Sequence, residues 1–167
     1  MSRLLIKVQK RLWDRQQPAF VDPGDICADG LIDLNVKDNR LSVWEVAEDN
    51  ANLERVLTAL AANCTYTSKI DYILFDSGVP LKLGLAIKST PGGTPDSKAN
   101  ETWHRDLIEL SGKKLLAFAL AAFENASRER CQEHKVVNML KGAIERNEIE
   151  QSKLSEVLLA KLQVQQS

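Results

Sequence analysis

Four carboxylates and one lysine sit where strand-like segments begin or end, a pattern from which a metal-assisted hydrolase can be built. Asp33, Glu45, Asp71 and Asp76 lie in or beside apolar segments, and Lys88 closes another. In one nuclease pattern an Asp precedes Glu-x-Lys; the carboxylates hold a metal ion and the lysine supports the attacking water. Here Lys88 follows Ala86-Ile87, so the carboxylate is missing, and Glu45 is followed by Val46-Ala47, so the lysine is missing. Both half-motifs are broken. Strand-end acids otherwise serve to blunt sheet edges, and the expectation is no catalytic set and no metal. If the chain were an enzyme, these five residues and His104 would be its candidates.

His104 belongs to the most site-like passage, STPGGTPDSKANETWHRD over residues 89–106. Its glycines could turn backbone N–H groups toward an anion, but the GK[ST] ending of a P-loop and the spacing of GxGxxG are both absent. Thr94-Pro95-Asp96 reads as N-cap, first helical residue and dipole-favouring carboxylate, with Asn100 as a later cap. On a helix, His104 and Asp106 would point in different directions, leaving His104 a surface or cap-side residue. The passage reads as a connection and a helix start. His134 reads as solvated.

The elements around these residues come from periodicity. Leu4, Ile6 and Val8 alternate as on a half-buried strand, and QQPAFVDPGD is a loop ending in a helix start with Asp22 as cap, Pro23 and Asp25. That helix runs through ICADGLIDL. Asp38-Asn39 form a turn before the strand LSVWEV, apolar on both sides and therefore covered on both. Asn50 caps a helix carrying Leu53, Val56, Leu57 and Leu60. KIDYILFD and LKLGLAIKS read as an antiparallel pair joined by SGVP, and the passage from 41 to 76 as a crossover if its strands share a sheet. From residue 101 to 127 the spacing of Trp103, Leu107, Leu110, Leu115 and Phe118 predicts one helix, followed by helices near 128–146 and 152–165. The whole is an α+β fold in one domain, residues 1–167. A small mixed sheet of three or four strands occupies about residues 1–90, and a helical C-terminal third about 95–165.

Composition limits the function classes. The chain has 167 residues and a net charge of −1, so no overall field draws nucleic acid or an anionic membrane. Residues 1–15 hold five Lys/Arg against one Asp, and residues 16–63 three against nine acids; internal pairing of the two is expected. Arg3, Lys7, Lys10, Arg11 and Arg15 with one interleaved Trp13 form a patch rather than a nucleic-acid groove. Cys27, Cys64 and Cys131 are odd in number and far apart, and the apolar start is broken by Lys7. A cytoplasmic, cofactor-free protein without membrane attachment is expected. In the last helix Leu154, Val157, Leu158 and Leu162 form a stripe that Leu159 and Val164 widen, which needs more cover than one core provides. These six are the expected self-association surface. The resulting expectation is a non-enzymatic interaction or regulatory protein of a microbial cytoplasm, forming homodimers. A carboxylate-based metal-assisted hydrolase and an oligonucleotide-binding accessory protein are its alternatives.

Overall fold

The alternation at the start of the chain is realised as an inner strand of a sheet. The computed structural model describes residues 2–13, 26 and 28–164; the expected cap and helix start at Asp22, Pro23 and Asp25, with Arg15 and Cys27, lie outside these. The strands are β1 (Arg3–Val8), β2 (Leu41–Val46), β3 (Ile70–Asp76), β4 (Ala86–Ser89), β5 (His104–Ile108) and β6 (Ser127–Cys131). They form one six-stranded sheet in the order β4-β5-β2-β1-β3-β6, with every pairing antiparallel. The helices are α1 (Ala28–Asp33), α2 (Leu53–Ala62), α3 (Gly78–Lys82), α4 (Ser97–Trp103), α5 (Gly112–Asn125), α6 (Glu133–Glu145) and α7 (Glu156–Val164).

Side chains leave a strand on alternate faces, and here both faces are covered. Leu5, Trp44, Val46, Ile70, Tyr72 and Leu74 pack under α2, α4, α6 and α7. Leu4, Ile6, Val43, Ile73, Phe75 and Leu107 pack against α1, α3 and α5 on the other side. Trp44 is buried, as expected for a strand apolar on both sides. The α+β class holds. Among the described residues no helix is long and apolar enough to cross a membrane.

The sheet is larger than expected, wholly antiparallel, and extends into the supposed helical third. The stretch from 101 to 127 is not one helix: α4 ends at Trp103, β5 follows directly, and α5 starts after Ser111, whose side chain accepts a bond from Lys114 N. The reason lies in where the apolar residues go. Trp103 packs into one core, while Leu107 and Leu110 enter the core on the opposite face of the sheet. A helix surface cannot serve both sides of a sheet; a strand within the sheet can.

The expected hairpin between KIDYILFD and LKLGLAIKS is also absent. Asp76 accepts a bond from Gly78 N at 2.6 Å and opens the short α3, which Gly84, at φ 66°, follows. Only β4 remains extended, and it pairs with β5 at the opposite edge from β6. β2 and β3 do share the sheet, with β1 between them. Helix α2 begins at Leu53 after Asn52 rather than being capped by Asn50. Asp96, not Thr94, caps α4, accepting from Ala99 N at 2.8 Å.

Candidate functional site

One face of the sheet changes from apolar to polar along the strands. On β1 Leu5 is buried and Lys7 exposed; on β2 Val46 and Trp44 are buried and Ser42 exposed. Leu5 pairs with Trp44, and continuing that register sets Lys7 opposite Ser42. Ser42 in turn faces Asp106, and Trp44 faces His104. Directly opposed residues share a face, so Lys7, Ser42 and Asp106 form a row beside the row Leu5, Trp44, His104. Over the polar end lies a half-open cleft of about 740 Å³.

Three segments wall it. Asp38 and Asn39, at φ 50° and 58°, make the tight turn that the sequence predicts, closed by bonds between Lys37 and Arg40; positive φ at both central residues is the turn that matches strand twist. This hairpin brings Lys37 and Arg40 to the cleft, and the end of α2 contributes Leu60 and Asn63. The third wall is the Gly93-Thr94 loop. Asn100 holds that loop by accepting from Thr94 N (3.1 Å) and Thr94 Oγ1 (2.7 Å) while donating to the Thr94 carbonyl (2.7 Å). Arg55 holds the buried Asp96 at 2.8 and 3.1 Å. The supposed connector is thus a braced wall.

At the cleft floor His104 and Asp106 are both buried. Nδ1 of His104 lies 2.9 Å from the Thr90 carbonyl oxygen and 3.1 Å from Thr90 Oγ1. A carbonyl only accepts, so Nδ1 carries the hydrogen and Nε2 of the neutral ring is an acceptor. Asp106 accepts from Thr90 Oγ1 at 2.9 Å and from Ser42 Oγ at 3.3 Å. Nε2 is 4.0 Å from Asp106 Oδ1, too far for a hydrogen bond. The His104 ring meets Trp44 edge-on, with centroids 5.1 Å apart.

The surface or cap-side position expected for His104 is therefore corrected. On a strand, residues two apart point the same way, which puts His104 beside Asp106. Of the other candidates, only Asp33 lines the same cleft. Its carboxylate is occupied, accepting from Gln9 N (2.7 Å), Gln9 Nε2 (3.2 Å) and Trp13 Nε1 (3.0 Å). Glu45, paired with Leu4, faces the opposite side and binds Arg105 at 2.7 Å. Asp71 also lies on that side, opposite Val8, and is held by Arg130 at 2.6 and 3.0 Å and by Lys10 N at 3.0 Å. Burial pushes its pKa up, but these bonds outweigh burial and leave it below the ordinary value. Asp76 is used at the start of α3, and Lys88 is exposed on β4. Among the described residues no three His, Cys, Asp or Glu are placed to share a metal ion.

Ser42, which completes the floor, and Thr90, which holds His104 and Asp106 in place, carry no motif. The signal available for them was His-x-Asp read at a period of two. Leu154, which precedes α7, and Leu158 and Leu162 within it are buried in the chain's own core and Leu159 packs against it, whereas Val157 is 59% exposed; the Val164 side chain is outside the described residues. Comparison with protein-family models, curated proteins and solved structures gives no match.

Proposed function

We propose that this chain is a non-enzymatic accessory protein, of an interaction or regulatory kind, that works by binding a ligand in the cleft over β1, β2 and β5. The observation that supports this most is the state of the cleft's buried acid and base. Asp106 is occupied by two neutral hydroxyls, and His104 is tethered to Thr90, with no serine, threonine or cysteine among the described residues bonded to Nε2. Nucleophilic catalysis needs a nucleophile within hydrogen-bond reach of its base. A concave, braced and polar-floored cavity is instead what ligand sites offer. A reducing, cytoplasmic setting belongs to this proposal and fits the free thiols of Cys64 and Cys131. The reading is tested by incubating the chain with Mg²⁺ or Mn²⁺ and nucleic acid, a chromogenic phosphodiester or an ester. No turnover is expected; turnover that His104→Ala abolishes would contradict it.

The proposal includes self-association through α7, favoured by the exposure of Val157. A dimer in sedimentation that Val157→Glu converts to a monomer supports it. A monomeric parent chain at micromolar concentration removes it.

A further inference from the structure

The ladder between the two central strands of the sheet is interrupted. β1 pairs with β2 only from Arg3↔Val46 to Leu5↔Trp44. Yet β1 goes on pairing with β3 as far as Val8↔Asp71, and β2 with β5 as far as Leu41↔Leu107. From Ile6 onward, then, each strand is held on the side away from the other, and among the described residues no ladder joins the two. The segment after α1 enters at the open end. Asp33 accepts from Gln9 N beside β1, and Lys37 exchanges backbone bonds with Arg40 just before β2. The cleft reaches into this gap: Ile6 and Val8 line it although their side chains belong to the core of the opposite face, so what they contribute is main chain.

Alternation identifies the backbone groups that face the gap, because in an antiparallel pair every second residue turns its N–H and C=O toward the partner. Ser2 O accepts from Ser77 N, just past β3, and Lys10 N, just past β1, donates to Asp71 of β3. Even-numbered residues of β1 therefore face β3, and Lys7 faces β2. Asn39 O, just before β2, accepts from Leu110 N, just past β5. Odd-numbered residues of β2 therefore face β5, and Ser42 faces β1. After Leu5 and Trp44 the next pair to exchange bonds would be Lys7 and Ser42, and the ladder has already stopped. Each of these two residues carries a backbone donor and a backbone acceptor, here turned toward a cleft instead of a strand.

Building on the binding reading above, we propose that the cleft takes a short peptide whose own N–H and C=O groups bond the main chain of Lys7 and Ser42. Recognition is then strand addition, with the ligand supplying the bonds that the interrupted ladder lacks. An extended peptide carries donor and acceptor at the spacing of a strand edge, which a polyol does not. Ile6 to Val8 is the length of β1 left without β2, about 10 Å of strand, and it limits the ligand to about two or three residues. The charges agree: Asp33, Asp38 and Asp106 balance Lys7, Lys37 and Arg40 along the lining, and a zwitterionic peptide brings no net charge to upset them.

The test is residue-resolved amide hydrogen exchange of the full ¹⁵N-labelled chain, alone and with dialanine or trialanine, beside calorimetric titration of the same peptides. In the free chain the Lys7 amide should exchange about tenfold or more faster than those of Leu5, Ile6 and Val8, although all four lie on one inner strand. At least one of the two peptides is expected to bind at one site per chain and to slow Lys7 exchange about tenfold. Its ester analogue, which lacks the amide N–H, and free alanine should each bind about fivefold or more weakly. Lys7 protected as well as its neighbours in the free chain, no binding of either peptide at millimolar concentration, or equal binding of the ester would overturn the inference. Glycerol or ribose binding in the cleft where the peptides do not would also overturn it while leaving the binding reading intact. Hydrolysis of a bound peptide would instead defeat the non-enzymatic reading and support the ligand class.

Discussion

His104 and Thr90 are joined twice, with the imidazole Nδ1 within reach of both the backbone carbonyl and the side-chain oxygen of Thr90. The same Thr90 hydroxyl donates to Asp106, so one residue beyond the end of β4 sets both buried polar groups of β5. Thr90→Val removes the donor to Asp106 while keeping the shape. We expect a loss of about 1–3 kcal/mol in urea unfolding, the cost of leaving a buried acceptor unmatched. Ser89→Ala, at an exposed neighbour, should change stability by less than about 0.5 kcal/mol. Imidazole nitrogen shifts should show the Nδ1–H form of His104 at pH values where the ring is neutral.

Two adjacent glycines separate by the space around them. A Cβ on Gly92 would stand 2.6 Å from Asn100 Oδ1 and 3.2 Å from His104 Cβ, and Asn100 is committed to Thr94 through three bonds. Gly92→Ala should cost about 1–3 kcal/mol through overpacking. A Cβ on Gly93 meets nothing within 4 Å, so Gly93→Ala should be neutral within about 0.5 kcal/mol. Parallel thermal melts of the two variants check the contrast.

Much of the frame was legible in the sequence, because it rests on local rules. β1, β2 and β3, helix α2 and the Asp38-Asn39 turn follow from alternation, helical spacing and turn chemistry. β5 was hidden because its inward face carries His104 and Asp106, so no apolar alternation marks it, while Trp103, Leu107 and Leu110 imitate helical spacing. The floor of the site was hidden for the same reason. Its geometry comes from pairing β5 with β2 and β4, contacts about 60 and 20 residues apart in the chain that local periodicity does not contain. The first part of the 89–106 passage does lead from β4 into a helix, whereas His104 to Asp106 belong to β5. That it also walls a cleft depends on Asn100 and Arg55, which reach it from two helices.

Acid should act on the Asp71–Arg130 pair. Burial alone would raise the Asp71 pKa, but the bonds from Arg130 and Lys10 N bring it below its ordinary value of 3.8. A carboxylate depressed in the folded state contributes stability above its unfolded pKa, and loses it as pH falls through the folded value. Stability should therefore decline below about pH 4, and Asp71→Asn should flatten that part of the profile while lowering stability at pH 7. Unfolding midpoints from pH 2.5 to 7 check this; an unchanged acid slope in the variant would count against it.

Trp44 lies between the apolar core and the cleft, buried and edge-on to His104. Trp44→Ala should cost about 3–5 kcal/mol. A change within about 0.5 kcal/mol would mean that β2 is not covered on this face.

The central claim is that the cleft is the working surface, and amide shift mapping of the full ¹⁵N-labelled chain against a library of small neutral and anionic compounds tests it most directly. Compounds that bind are expected to perturb one contiguous set, including Gln9, Ser42, Gly93, Thr94, His104 and Asp106, with the exposed face of α7 unaffected. Binding compounds whose shifts fall consistently on α7 or on the helices of the opposite face would contradict it, as would a library with no binder at millimolar concentration.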